Sequence, residues 1–137
     1  MLKFNQFIKL NEGNRDTESF LNYILDKILD KKSLSKMEEE FLRSFYEENE
    51  IEFYDKFKSK IENSEYLDNI KIQHSFDLVI THPKMMNLRS TKTVEKMGDD
   101  LFYIHSTIDG WKTASLTKDE LISFMVGEID TIDLDWE

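Results

Sequence analysis

The chain has no cysteine, one proline and four glycines among its 137 residues. Without cysteine, disulfides, thiolate metal sites and thiol catalysis are all excluded. The shortage of glycine, with no glycine-rich loop, argues against phosphate cradles and dinucleotide sites. No apolar run approaches the ~18 residues that a membrane helix needs. The opening MLKFNQFIKLNE is too polar for the apolar region of a signal peptide. These absences together lead us to expect a soluble, intracellular, cytoplasmic protein.

What the chain has is apolar and acidic residues. Hydrophobic residues make up 39%, with ten Phe and five Tyr, enough for a real core despite 34% charged residues. The net charge is −10, a field that repels nucleic acid and anionic membranes over most of a surface. It is unevenly spread: residues 84–96 carry Lys84, Arg89, Lys92 and Lys96 against Glu95, whereas residues 97–137 carry ten acids against Lys112 and Lys118.

Phe4, Phe7 and Ile8 stand at helical spacing, so a short helix is expected over residues 1–12, broken at Glu12-Gly13-Asn14. Asp16 or Thr17 is placed to cap the next helix. In it, Phe20, Ile24 and Ile28 form one row and Leu21, Leu25 and Leu29 the row beside it. Asp26, Lys27, Asp30 and Lys31 lie opposite. Ser33-Leu34-Ser35 interrupts the pattern, and Ser35 with Glu38 makes a capping box. Met37, Phe41 and Phe45 follow in one row with Leu42 and Tyr46 alongside, and Glu38, Glu39 and Glu40 suit the positive end of the helix dipole. Phe53, Phe57 and Ile61 resume the spacing after Glu47-Glu48-Asn49-Glu50. One bent helix or two would fit, and two separated near Asn49 are preferred.

From Ile70 the period falls to two. Ile70, Ile72, His74, Phe76, Leu78 and Ile80 alternate with more polar neighbours, which predicts a long or bulged strand over 70–81, ended by His82-Pro83. Further strands are expected over 88–96, 101–108 and 111–115. Gly98-Asp99-Asp100 is read as one turn and Asp109-Gly110 as a type I′ hairpin. Thr117 and Glu120 form a second capping box, with Leu116 set to staple against Leu121 and the helix closed near Gly127. The expected fold is α+β: N-terminal helices packed on a three- to four-stranded, mainly antiparallel sheet, with one C-terminal helix, in a single domain.

The stretch Leu25-Asp26-Lys27-Ile28, then Ser33-Leu34-Ser35-Lys36, Glu38 and Phe41-Leu42, resembles the cytosolic C-terminal extension of some bacterial rhomboid-family proteins. Similar segments occur in small proteins of bacteria and their tailed phages, and LKFNQFIKLNE is similar to the leader of many small phage proteins. The match covers about a fifth of the chain; the Gly usual in the turn is missing and Ser35 stands in for Thr. The resemblance implies a phage or bacterial accessory protein with a docking helical hairpin, in the host cytoplasm if phage-encoded. It implies no activity.

Candidate chemistry is sparse. His105-Ser106-Thr107 resembles half of the H-x-T pair of two-histidine phosphoesterases, but neither His74 nor His82 supplies the second half. Nothing in the spacing of the three histidines requires a metal, and no cofactor is expected. The tail, with Asp130, Asp133 and Asp135, lacks the Gly and terminal Glu of an EF-hand loop. Its alternating Ile132, Leu134 and Trp136 suit either an edge strand or loosely packed tail, which is preferred, or an acidic–aromatic docking peptide. The leading expectation is a non-enzymatic protein that binds a basic protein partner, with Glu38, Glu39, Glu47, Glu48, Asp133, Asp135 and Trp136 as candidate contacts. The alternatives are an inhibitor that imitates nucleic acid through its acidic helical faces, and a small enzyme with a histidine pocket. Direct nucleic-acid binding, resting on four basic residues in an acidic chain, is not expected.

Overall fold

The computed structural model describes residues 14–85, 88–106 and 110–137. The helix expected over 1–12, Thr107 and the Asp109 half of the hairpin turn lie outside them. The described residues form an α+β fold: helices α1 (Asn14–Leu29), α2 (Lys36–Glu48) and α3 (Glu50–Asn63), strands β1 (Ser75–Thr81), β2 (Arg89–Gly98), β3 (Leu101–Ser106) and β4 (Lys112–Leu116), then helix α4 (Lys118–Met125). Contacts divide the chain into two compact units, Met1–Phe53 and Tyr54–Glu137.

In the first unit, α1 begins at Asn14, so Asp16 and Thr17 lie inside the helix rather than at its cap. The residues from Asn14 to Ser19 lie in the helix ahead of its buried stripe. Its stripe of Leu21, Ile24, Leu25 and Ile28 is fully buried. Each such side chain contributes about 1.5–3 kcal/mol of burial. The helix ends in a Schellman motif: the Lys31 amide bonds the Ile28 carbonyl at 3.1 Å and the Lys32 amide bonds Lys27 at 2.8 Å. Lys31 takes the left-handed position, φ 60°, where glycine is the usual residue. A side chain there is strained by about 1–2 kcal/mol. Lys31→Gly should therefore raise stability by about 0.5–1 kcal/mol after the entropy of the freer unfolded chain is subtracted, read as a higher urea midpoint at unchanged slope.

Helix α2 starts at the expected capping box: the Ser35 Oγ accepts from the Glu38 amide at 3.2 Å, and Glu38 Oε1 accepts from the Ser35 amide at 2.7 Å. Phe41, Leu42 and Tyr46 are buried, and Phe41 meets Phe20 of α1 edge-on at 4.7 Å. Two helices are indeed separated at Asn49, whose φ −139°, ψ 56° is not helical. The interruption is one residue wide, because Asn49 donates to Phe45 and accepts from Phe53, both at 2.8 Å. Tyr46 spans it, donating to Glu50 at 3.1 Å and packing edge-on against Phe53 at 5.4 Å.

The second unit is built on an antiparallel sheet of order β1-β2-β3-β4. Phe76, Leu78 and Ile80 of β1 share its inner face with Val94, Phe102, Ile104, Ala114 and Leu116, as the period-two pattern requires. Helix α4 packs against β1, β3 and β4. Its Thr117–Glu120 capping box is formed, and the Lys118 amide donates to Asp100 Oδ1 at 2.8 Å, tying the helix start to the β2–β3 turn. Both Leu116 and Leu121 are buried. The helix closes in a second Schellman motif, Gly127 to Phe124 at 3.2 Å and Glu128 to Ser123 at 3.0 Å, with Gly127 at φ +84°.

The strand expected over 70–81 begins only at Ser75. Gln73 sits at φ 69°, and both Gln73 and His74 bond the backbone of the single residue Lys96, at 2.6 and 3.1 Å. That two-against-one pairing ends the alternation. The cause lies in Lys96, which is 4% exposed and whose Nζ donates to the carbonyls of Leu67 (3.0 Å) and Ile70 (2.9 Å), 6.0 Å from the Phe102 ring centre. An ammonium buried on the inner face of β2 needs acceptors. The segment around 67–70 supplies them by turning rather than running on as a strand. Lys96 therefore does not belong to a basic surface over 84–96.

Candidate functional site: an acidic groove beside the last helix

The tail returns to the sheet. A 3₁₀ turn, Thr131–Asp133, reverses the chain; the Asp130 amide donates to Asp133 Oδ2 at 2.8 Å. The chain then runs antiparallel to β4, through a bridge between Ala114 and Trp136 and a reciprocal pair of backbone bonds between Thr113 and Glu137, both 3.0 Å. Trp136 is half-buried and its indole N–H donates to the Thr131 carbonyl at 2.9 Å. Leu134 is buried at 8% exposure, whereas Ile132 is 89% exposed. The edge-strand expectation thus holds for the last residues only, since the 3₁₀ turn takes Ile132 out of the alternation.

Between this tail and α4 lies a groove of about 310 Å³. Asp119 and Glu120 project from the first turn of α4 on one side, Asp133 and Asp135 from the tail on the other, and Leu116, Ile129 and Leu134 supply apolar wall. Every charged residue lining it is acidic. All four carboxylates are exposed, so water and salt both screen them from one another. Glu120 also serves the capping box, one oxygen accepting from the Thr117 amide at 3.0 Å. A second cleft of about 440 Å³ on the α3 side of α4 is lined by Asp55, Glu62, Asp119 and Lys58. There Lys58 is already paired with Glu128 at 2.9 Å.

The candidate contacts fare differently. Asp133 and Asp135 are exposed on the groove and Trp136 holds the tail beside it. Glu47 and Glu48 are exposed at the end of α2, in the other compact unit, and Glu39 is half-buried. Glu38 is 5% exposed and turned inward, accepting from Lys27 Nζ at 2.9 and 3.1 Å besides the Ser35 amide. Burial opposes its charge, but the Ser35 amide and the Lys27 ammonium outweigh burial and hold the carboxyl below the usual range. A depressed carboxyl stabilises the fold above its unfolded value of about 4.3 and loses that contribution as pH falls through the folded value. The stability gap between the native chain and Glu38→Gln, measured by urea unfolding, should be open at neutral pH and close below about pH 4.

The histidines do not converge. His74 and His82 stand at opposite ends of β1, roughly 25 Å apart along an extended strand. His74 is exposed. His82 is half-buried, its Nε2 2.8 Å from Ser90 Oγ, and burial holds its pKa below the ordinary imidazole value. His105 lies on the other face of the sheet, 3.0 Å from Thr113 Oγ1 and 3.5 Å from Glu95. None of the three lines either cleft. Among the described residues no three histidine or acidic side chains are grouped to hold a metal, and no helix is long and apolar enough to cross a membrane. Compared with known proteins, the chain matches no family, no curated protein and no solved structure.

Asp119 and Glu120 were not among the sequence candidates. The Thr117–Glu120 spacing explains Glu120 as a helix start, and only the fold of the tail brings both residues into one groove with Asp133 and Asp135.

Proposed function

We propose that this chain is a non-enzymatic interaction protein, a phage or bacterial accessory factor that binds a basic segment of another protein. The observation that carries the reading is the groove beside α4, whose charged lining is wholly acidic in a chain of net charge −10. The acidic lining favours a cationic side chain at the groove, and the leucines beside it suit the alkyl stem of lysine or arginine. Exposed Glu47 and Glu48 extend the acidic character to the helical hairpin, the part that resembles a docking segment. The arrangement of the histidines gives an enzyme reading no support. Glu38, paired internally, is lost to any acidic row that would imitate a nucleic acid.

The test is affinity purification from the native host, comparing the native chain with a variant carrying Glu47→Gln, Glu48→Gln, Asp133→Asn and Asp135→Asn. A protein with a basic surface should co-purify with the native chain and be depleted with the variant. Equal recovery by both would refute the reading.

A further inference from the structure

We propose that the outer edge of β1 is a docking site for an extended segment of a partner protein, which adds to the sheet as a further strand and sets a basic side chain against Asp77. The inference rests on the basic-partner reading above and adds a place and a mode of contact away from the groove.

Of the sheet's two edges, the one at β4 is closed by the return of the tail to Ala114. The one at β1 is open among the described residues. In an antiparallel pair, residues that bond across the ladder alternate with residues whose N–H and C=O point away from it. The Lys96 amide bonds the His74 carbonyl and the His82 amide bonds that of Leu88. His74, Phe76, Leu78, Ile80 and His82 therefore turn their backbone groups to β2. Those of Ser75, Asp77 and Val79 point outward. No backbone bond meets them among the described residues; Ser75 and Asp77 are exposed and Val79 is half-buried. Such a row is a template for another strand, with two bonds to each residue. It has fixed ends. Gln73 leaves the extended conformation at φ 69°, and Thr81 is fully buried with its carbonyl against Gly127.

The side chains identify the occupant. In an added strand, the residues paired with Ser75, Asp77 and Val79 share the outer face with them. The residues between lie on the inner face, beside half-buried Phe76. Asp77 is the one charged residue of β1 and stands at the middle of the open row. Its Oδ1 accepts from Thr93 Oγ1 at 3.3 Å, which sets the carboxylate on the outer face. A lysine or arginine directly opposite is attracted to that charge, and an acid there is repelled. The same rule excludes a second copy of this chain. Antiparallel self-pairing centred on the row sets Asp77 against Asp77, and moving the centre by one pair of residues matches Asp77 with buried Thr81 or with Gln73. The fitting segment is extended, apolar on one face and basic at the centre of the other.

The experiment titrates the ¹⁵N-labelled full chain with the end-blocked peptide threonine-valine-lysine-valine-threonine, and with its twin carrying glutamate in place of lysine. The lysine peptide should shift the amides of Ser75, Asp77 and Val79 and slow their exchange with solvent. The glutamate peptide should bind about fivefold more weakly. Asp77→Lys, at an exposed site, should keep the native spectrum elsewhere and reverse the preference. Lysine-peptide shifts found only at Asp119, Glu120, Asp133 and Asp135 would overturn the β1 site and leave the basic-partner reading standing. Absence of any shift would overturn the β1 site, and the co-purification test above then decides the basic-partner reading by itself. Equal binding of the two peptides, or an Asp77→Lys chain that still prefers lysine, would overturn the charge argument and the proposal with it. Movement of the same amides on dilution of the free chain would place a second copy on the edge and overturn it as well.

Discussion

Gly127→Ala should destabilise the second unit by roughly 3 kcal/mol or more, the sum of left-handed strain and overpacking. Gly127 is the αL residue that closes α4, at φ +84°, and the space a Cβ would need is taken. The carbonyl oxygen of Thr81, at the end of β1, stands at that position, and Pro83 Cδ would lie 2.8 Å from the new carbon. Both neighbours belong to fixed backbone or a rigid ring, so neither yields cheaply. Gly98→Ala is the control: a Cβ there meets only Leu101 Cβ, at an ordinary 3.8 Å. Urea unfolding should show a large fall in midpoint for the first variant and a change under about 1 kcal/mol for the second. A Gly127→Ala chain as stable as the native one would mean that the end of α4 does not lie against the end of β1.

Ile28→Asp should abolish folding of the first unit. Ile28 is 1% exposed in a stripe with Leu21, Ile24 and Leu25. Aspartate there loses the burial of the aliphatic chain and places a carboxyl among apolar groups, together about 4 kcal/mol or more. Ile28→Val, which keeps the shape, should cost about 1 kcal/mol. Ile51→Asp, at a site 78% exposed on α3, should cost under about 0.5 kcal/mol. Circular dichroism separates the outcomes. Loss of helical signal in Ile28→Asp alone marks the stripe as core, and an Ile28→Asp chain with native helicity would mark it as a docking surface.

What the sequence made legible is what local chemistry specifies. Both capping boxes, Ser35–Glu38 and Thr117–Glu120, form at the predicted residues, because each is completed within four positions. The break at Asn49 and the glycine closure at Gly127 follow from the same short range. The alternation from Phe76 to Ile80 gives the inner face of β1, and the pairing of successive strands follows from short connections. The errors arise where a distant residue decides. The false strand over 70–74 looks regular until Lys96, more than twenty positions away, is buried against the carbonyls of Leu67 and Ile70. Glu38 reads as one of three surface glutamates until Lys27 of α1 reaches it. The groove is harder still. Asp133 and Asp135 are conspicuous in the tail, but their juxtaposition with Asp119 and Glu120 depends on the return of Trp136 to Ala114, which no spacing encodes.

The central claim is that carboxylates on this chain hold a basic partner, and it is tested most directly by salt. With the full chain immobilised and the co-purified partner bound, the salt concentration at which the partner elutes measures how much of the contact is ionic. At 0.5 M salt and above, the screening length falls to roughly 4 Å or less. Retention at low salt and release by about 0.5 M are expected, with the Asp133→Asn, Asp135→Asn variant releasing earlier. Retention that is indifferent to salt, and equal for the native chain and the variant, would contradict it.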